Sequence, residues 1–461
     1  MTIETIKNVY FIGAGGIGMA ALERYFLSRG KSVAGYDRTP TDLTRALQAE
    51  GVEISFTDDP ATIPAGMRSA ADTLVVYTPA VPESSPIMQW FRDNGFEIMK
   101  RAKVLGLITL TGEALCFAGT HGKTTTSSMA AHILYSSKAG CNAFLGGVSR
   151  NYNSNFLLSP STLYSVIEAD EYDRSFHHLT PTVAVITSTD PDHLDIYGTE
   201  EAYLESFAHF SELIRPGGTL IVHTGLKLKP RVKEGVKVYT YSRDEGDFHA
   251  SYIRRGQGVI TFDLVTPRGT IRNVNLGVPV EINIENAIAA AAAVCCTQAW
   301  DPEVVREAIS TYKGTKRRFE VWLKERSGAG RVIIDDYAHH PRELMSSISS
   351  IRSLYPGRHL TVAFQPHLYS RTRDFAPEFA QALSEADSVI LLDIYPAREE
   401  PIEGVSSEMI LSEITAPDKT LIPKEKLVET LKNRNFDILL TVGAGDICNY
   451  LPEIVAECTR E

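Results

Sequence analysis

Leu115-Cys116-Phe117-Ala118-Gly119-Thr120-His121-Gly122-Lys123-Thr124-Thr125-Thr126 is an apolar strand that runs into a glycine loop and then into a helical pattern reaching Tyr135. Strand, loop and helix in that order build a phosphate site. Glycines let backbone amides turn inward, the positive end of the helix faces the anion, and Lys123 reaches the terminal phosphates. Thr124 is placed to ligate Mg²⁺. The longer consensus has glycine where this chain has Phe117, so the loop is a shortened one.

Two acidic motifs follow strands downstream. Glu168-Ala169-Asp170-Glu171-Tyr172-Asp173 continues the apolar run Tyr164 to Ile167, and Asp190-Pro191-Asp192-His193-Leu194-Asp195 follows the run Thr182 to Ile186. Carboxylates at the C-terminal end of a parallel strand sit at the crevice where open α/β sheets bind ligands. Their oxygens suit a Mg²⁺ ion bridging ATP phosphates, and the strand-end position singles out Glu168. His193 is either a second metal ligand or a surface turn residue. Between Gly225 and Pro279, Val and Thr alternate with frequent Gly, which predicts short antiparallel strands attached to this central segment. Asn286 then opens an Ala-rich helix, read as buried through Cys296.

Upstream, Val9-Tyr10-Phe11-Ile12 leads into Gly13-Ala14-Gly15-Gly16-Ile17-Gly18, a helical pattern through Leu27, a Gly30 cap and a second strand, Ser32 to Tyr36, ending at Asp37. This dinucleotide fingerprint reports a pyrophosphate at a helix N-terminus, a feature that NAD and a UDP-sugar share. A further strand, Thr73 to Tyr77, ends at Thr78-Pro79-Ala80, and strand–helix–strand order predicts a right-handed parallel unit.

A third segment begins around Tyr312 to Lys316. Its apolar runs, Arg331 to Ile334, Leu360 to Phe364, Ser388 to Leu392 and Ile438 to Val442, predict another open parallel sheet. Asp335-Asp336-Tyr337-Ala338-His339-His340-Pro341 ends the first run and Gln365-Pro366-His367-Leu368-Tyr369-Ser370-Arg371-Thr372 ends the second. Adjacent strand ends would face one cleft, whose carboxylates, imidazoles and arginine suit an amino acid's amine and carboxylate.

The chain has 461 residues, 43% hydrophobic and 22% charged, which predicts a globular protein of two to four domains. A net charge of −11 argues against a nucleic-acid-binding face. No apolar run reaches the roughly 18 residues of a membrane span, so no membrane partner is expected. Met1 to Asn8 lacks the order of a signal peptide. Cys116, Cys141, Cys295, Cys296, Cys448 and Cys458 have no paired metal spacing and read as thiols of a reducing compartment. A cytoplasmic enzyme is the expectation.

At this point the residues resemble the Mur ligases of bacterial peptidoglycan synthesis. Gly13 to Met19, Gly119 to Thr126, Glu168 to Phe176, Asp192-His193, Lys316-Arg317-Arg318-Phe319, Asp335 to Pro341, Gln365 to Thr372 and Tyr395 to Ser407 occur in the family's order over nearly the whole chain. Within the family the likeness is greatest to the member that joins L-alanine to the lactyl carboxylate of UDP-N-acetylmuramic acid. The resemblance implies an α/β protein of three domains: an N-terminal Rossmann-like domain for the UDP end (1–105), a central ATPase-type mixed sheet (106–313) and a Rossmann-like C-terminal domain closing over ATP and the amino acid (314–461). It implies ATP and Mg²⁺, two ions, as cofactors, and a monomer or homodimer.

Carried over by position, Gly13, Ala14, Gly15, Gly16, Ile17, Gly18, Asp37, Thr78 and Ala80 are similar to residues at the UDP-sugar. Gly119, Thr120, His121, Gly122, Lys123, Thr124, Thr125, Asn283, Asn286 and Arg318 are similar to ATP contacts, with Asp336 at the ribose. Thr124, Glu168 and His193 look like metal ligands. Tyr337, His339, His367 and Arg371 look like the L-alanine pocket, and Lys123, His193, His339 and Arg371 are the implied catalytic set. The chain departs from the family where Ile282 replaces the first histidine of a His-Asn-x-x-Asn run, where Ser188 replaces an asparagine, and where Tyr77-Thr78-Pro79 replaces a double serine. No lysine lies between Asp195 and Arg215, so the modified lysine of several sister ligases is not expected. The alternatives are a ligase that recycles a preformed tripeptide onto the same sugar, an NAD-dependent oxidoreductase and a non-enzymatic ATP-binding module.

Overall fold

The structure, a computed structural model, describes residues 3–78, 81–159, 162–191, 194–256, 258–325, 330–397, 399–434 and 436–459. The chain divides into two compact units. One comprises Met1–Ser251, Asp263–Arg272 and Glu285–Ser310, the other Tyr252–Phe262, Asn273–Ile284 and Thr311–Glu461.

The first unit opens with a five-stranded parallel sheet of β1 (Asn8–Ile12), β2 (Ser32–Tyr36), β3 (Glu53–Ser55), β4 (Thr73–Tyr77) and β5 (Glu97–Lys100), in the order β3-β2-β1-β4-β5. The central strands β1 and β4 are near-continuous buried apolar runs, as expected where helices cover both faces, and the edge strands β3 and β5 are short and polar-ended. The order reverses between β1 and β4, so the loops after Ile12 and Tyr77, which pair in register, share one crevice.

A seven-stranded sheet follows: β6 (Glu113–Ala118), β7 (Asn142–Ser149), β8 (Ser154–Leu157), β9 (Tyr164–Glu168), β10 (Val183–Ile186), β11 (Thr219–His223) and β12 (Lys237–Tyr241). They run in the order β12-β11-β10-β6-β9-β7-β8. Strand β6 lies between β9 and β10, so the glycine loop after it is flanked by both acidic motifs. The expected antiparallel grouping is corrected for β12, which pairs in parallel with β11. It is the edge strand, exposed at Lys237 and Val238 and buried at Tyr241, so one side of it faces solvent as in an antiparallel ribbon. A three-stranded sheet orders β13 (His249–Gly256), β14 (Val259–Thr266) and β15 (Gly269–Asn275) in succession. The Ala-rich helix is Ile282–Cys295, beginning before Asn286, and Ala287 to Val294 are buried throughout.

In the second unit β16 (Glu320–Lys324), β17 (Val332–Asp336), β18 (Leu360–Phe364), β19 (Ser388–Leu392), β20 (Asp418–Ile422) and β21 (Ile438–Val442) form one sheet, ordered β16-β17-β21-β18-β19-β20. The four strands expected from the sequence pair in parallel, and the sheet adds at its edge β16, not foreseen, which runs antiparallel to β17 with an irregularity between Val321 and Leu323. One expectation is corrected here: the strands carrying the two histidine motifs are not neighbours, because β21 pairs with both and separates them. Sequential order does not reveal such an insertion, since the inserted strand comes last in the chain.

No described helix is long and apolar enough to cross a membrane. The six cysteines are free thiols, with Cys116, Cys141 and Cys295 buried.

Glu23 stands out in the first helix, Ile17–Ser28. It is fully buried, and among the described residues neither carboxylate oxygen has a hydrogen-bond partner. Burial, then the charges of Asp37 and Glu50, raises its pKa well above the ordinary carboxylate value, against Arg24. A raised folded-state pKa means the neutral form is favoured. Stability is therefore fully present below the unfolded value and declines as pH climbs through the folded one. Glu23→Gln should raise Tm more at pH 8 than at pH 5; equal shifts in thermal melts at both pH values would refute this.

Candidate active site

The glycine loop after β6 is shaped by close approach. Gly122 has φ +83°, and a Cβ there would lie 3.0 Å from the Asn286 side-chain oxygen. Thr126 Oγ1 donates to that same oxygen at 3.1 Å. The loop is laced to the residues that continue β10: the His121 N–H donates to Ser188 Oγ at 2.7 Å, and Thr120 Oγ1 donates to the Asp190 carbonyl at 2.6 Å. Ser188 thus serves the loop directly. Thr125 is half-buried in the first turn of the helix Lys123–Ser136. That turn carries no acidic residue of its own.

Lys123 donates to the Gly119 carbonyl at 2.6 Å and to Glu171 Oε1 at 2.8 Å. Glu171 is 2% exposed, and its burial raises its pKa in spite of Lys123. Thr124 Oγ1 donates to Glu168 Oε1 at 2.9 Å, and the Gly146 N–H to Glu168 Oε2 at 2.9 Å. Hydroxyl and carboxylate oxygens together suit a hard cation such as Mg²⁺. His193 lies outside the described residues, as does Ala80. Among the described residues no group of three or more His, Cys, Asp or Glu side chains forms a metal cluster.

At the other glycine loop, the Gly13 and Ala14 N–H groups donate to the Tyr36 carbonyl. Asp37 Oδ2 accepts from the Gly15 N–H at 2.6 Å and Oδ1 from the Thr39 N–H at 3.0 Å. The Asp37 carboxylate therefore braces the loop itself. Ile17 anchors the helix start, its carbonyl accepting from Asn155 Nδ2 at 2.8 Å. A cleft of about 370 Å³ runs from Gly16 and Gly18 past Thr78 and Arg101 to Glu168 and Asp170. It joins the first glycine loop to the carboxylate that touches Thr124. Arg101 is half-buried there, in no ion pair among the described residues, and packs so close that a Cβ on Gly18 would lie 2.7 Å from its Nη1. Motif reading missed Arg101, Gly146 and Asn155, since none stands in a recognisable spacing, and it placed Glu171 in the acidic motif without a role of its own.

In the second unit, Asp336 accepts from the Phe319 N–H at 3.3 Å and from Ser347 Oγ. Asp335 is fully buried, accepts from Thr441 Oγ1 at 2.7 Å and faces Arg317 Nε at 3.5 Å. Burial pushes its pKa up to about 6, with Thr441 and Arg317 opposing. Arg317 also donates to the Gly443 and Gly445 carbonyls beyond β21, and the guanidinium groups of Arg317 and Arg318 lie 5.0 and 5.2 Å from the Tyr337 ring centroid. Asn283 Nδ2 donates to the Val278 carbonyl at 3.1 Å, bracing the turn that opens the Ala-rich helix.

Although β21 intervenes, the two histidine motifs still meet: the His339 and His367 rings are 6.1 Å apart. His339 Nδ1 lies 3.0 Å from the Tyr337 carbonyl, and its backbone N–H donates to Glu343. Burial, with Arg371 contributing against Glu343, lowers the His339 pKa, which favours the neutral imidazole. His367 lies near-parallel at 5.9 Å to Tyr395, which opens the Tyr395 to Ser407 run and had no role assigned from the sequence. Arg317, Phe319, Leu368 and Ala397 all have positive φ. Non-glycine residues held this way gather at functional sites.

Three family models match this chain: the Mur ligase family catalytic domain over residues 8–111, the Mur ligase middle domain over 117–294 and the Mur ligase glutamate ligase domain over 317–445. The UDP-N-acetylmuramate–L-alanine ligase of Phocaeicola vulgatus is 55% identical over 455 residues, 98% of each chain. That of Parabacteroides distasonis is 56% identical over 448 residues, 97% of this chain and 96% of its own. The crystal structure of the UDP-N-acetylmuramate-alanine ligase of Thermotoga maritima matches with a TM-score of 0.78 at 25% identity, covering 97% of this chain and 98% of that one. A murein peptide ligase from Psychrobacter arcticus shares the fold, with a TM-score of 0.63 at 20% identity over 99% of both chains.

Proposed function

Because this chain belongs to the Mur ligase family, we propose that it joins L-alanine to the lactyl carboxylate of UDP-N-acetylmuramic acid, with ATP converted to ADP and phosphate. The observation that supports this best is the continuity of the cleft, from the glycine loop of Gly16 and Gly18 to Glu168 beside Thr124. A substrate with a diphosphate at one end and a carboxylate at the other fits such a path.

In this reading Gly13, Ala14, Gly15, Gly16, Ile17, Gly18, Thr78 and Ala80 hold the UDP end, with Asp37 bracing the loop and Arg101 offsetting charge. Gly119 to Thr125, Asn283, Asn286, Arg318 and Asp336 hold ATP. The lactyl carboxylate attacks the γ-phosphate, giving an acyl phosphate and ADP; the alanine amine then attacks the acyl carbon and phosphate leaves. Lys123 offsets charge on the transferring group, the main demand of phosphoryl transfer. Thr124, Glu168 and His193 would hold two Mg²⁺ ions, which supply further charge neutralisation when bound. Tyr337, His367 and Arg371 orient the amino acid. His339, kept neutral by burial, takes the proton the amine must lose. The proposed domain divisions are 1–105, 106–313 and 314–461, the proposed compartment is the cytoplasm, and the proposed assembly is a monomer or homodimer.

Gly146 supplies an unexpected check on this reading. A Cβ there would collide with both Glu168 carboxylate oxygens, displacing the group from Thr124. Gly146→Ala should lower kcat by about 10²-fold, the scale of a misplaced reacting group, and raise the Mg²⁺ concentration for half-maximal rate. Unchanged Mg²⁺ dependence in a titration would remove Glu168 from the metal site.

The ligase reading itself is tested by phosphate release from ATP with Mg²⁺ and UDP-N-acetylmuramic acid, with and without L-alanine. Release that requires both substrates, with an alanyl product by mass, supports it. If only a tripeptide serves, the chain is the recycling ligase. If the sugar nucleotide is not needed, the N-terminal assignment fails.

A further inference from the structure

We propose that the ion pair between His223 and Glu285 is a positioning device for the nucleotide, setting Asn286 against the phosphate loop. The inference rests on the ATP reading above and adds a residue that no motif marks. Strand β11 ends at His223, whose Nε2 lies 3.4 Å from Glu285 Oε2, with both side chains less than a third exposed (24% and 29%). The His223 ring stands edge-on to the buried Tyr241 ring that ends β12, 5.2 Å away. Tyr241 and Arg243 are the other titratable groups facing the Glu285 carboxylate.

Glu285 and Asn286 are neighbours in the first turn of the helix Ile282–Cys295, so their side chains diverge by about 100°. Glu285 turns to the end of β11. Asn286 turns to the other side, where its oxygen accepts from Thr126 and sits 3.0 Å from the place a Cβ on Gly122 would take. Fixing Glu285 therefore fixes the helix turn whose next residue buttresses the loop carrying Lys123. Neither His223 nor Glu285 touches a reacting group in the proposed mechanism.

The pair also gives a pH dependence with a defined sign. The adjacent Glu285 carboxylate raises the His223 pKa against burial, and burial acts to raise Glu285 while His223 with Arg243 lowers it. The interaction is fully present below the unfolded histidine value, about 6.5, and is lost as pH climbs through the raised folded value. On the acid side it is lost as pH falls through the lowered Glu285 value.

The experiment is steady-state kinetics of the full-length protein and of His223→Gln and Glu285→Gln across pH, with Mg·ATP binding measured by calorimetry. Each variant is compared with the parent at equal pH, so the titration of ATP itself cancels. KM for ATP should rise about tenfold at pH 6.5 in either variant, within the range for coupled neighbours, while kcat and KM for the other substrates stay within about twofold. The double variant should be no worse than either single, and the alkaline rise in the parent's KM for ATP should vanish in His223→Gln. A lower Tm with unchanged ATP affinity overturns the proposal, since the pair would then be merely structural. If no ligation occurs in the parent, the ligase reading fails, and calorimetry still decides the role of the pair.

Discussion

Lys123→Met should lower kcat by about 10³-fold, the upper range for removing one preorganised charge-stabilising donor, with KM for UDP-N-acetylmuramic acid little changed. The ammonium is the group at the phosphate loop proposed to follow the γ-phosphoryl charge as it develops, and methionine keeps the length of the stem without that charge. The substitution has a second consequence. Glu171 is 2% exposed and pairs with Lys123 at 2.8 Å, so the variant leaves a buried carboxyl without its cation. Breaking a buried pair from one side costs roughly 3–5 kcal/mol when the remaining group stays charged. Because burial already raises the Glu171 pKa, that cost should be smaller in acid and grow as pH rises. Lys123→Met with Glu171→Gln should therefore regain stability at pH 8 while remaining inactive. Thermal melts and single-turnover phosphate release on both variants separate the effects. A double variant that regained activity along with stability would show that Lys123 serves folding alone.

Arg317→Met should destabilise the second unit by roughly 3–5 kcal/mol, again as one half of a buried pair. Asp335 is fully buried and Arg317 is 22% exposed, their charged atoms 3.5 Å apart. The same guanidinium holds the carbonyls of Gly443 and Gly445, so its loss also frees the turn after the central strand β21. Burial already pushes the Asp335 pKa up to about 6 with Arg317 opposing. Without it the carboxyl should neutralise at higher pH, so Arg317→Met should lose least stability at acidic pH. Adding Asp335→Asn should recover part of the loss. Calorimetric scans resolve this, because the chain has two compact units and one transition need not describe both. Equal losses at pH 5 and pH 8 would show that Asp335 is not the group left exposed to the change.

Both results turn on partners distant in sequence, which marks where reading the chain succeeds. The strand-to-glycine turns at Gly13 and Gly119 were legible because a phosphate loop is a local device. Its apolar strand, glycines and following helix lie within about a dozen residues, and each obeys local sterics. Glu168 and Asp336 were legible for a similar reason, as polar residues ending an apolar run. Lys123 with Glu171, Gly146 with Glu168, and His223 with Glu285 were not, because each pair is assembled from different strands or helices of the sheet. The error over β17 and β18 has the same origin. Strand β21 is the last strand in the chain yet pairs between them, and periodicity carries no information on which strand inserts where.

The sequence alone therefore determined the class of chemistry: two phosphate-binding turns, acidic strand ends, and a histidine and arginine pair of motifs in the order of one ligase family. It could do so because those signals are short and are read by the backbone itself. Only the tertiary structure decided which carboxylate faces Lys123, which backbone N–H steadies Glu168, and that Arg101 lines the cleft. Those choices depend on sheet order and on side-chain burial, which no local stretch of residues encodes.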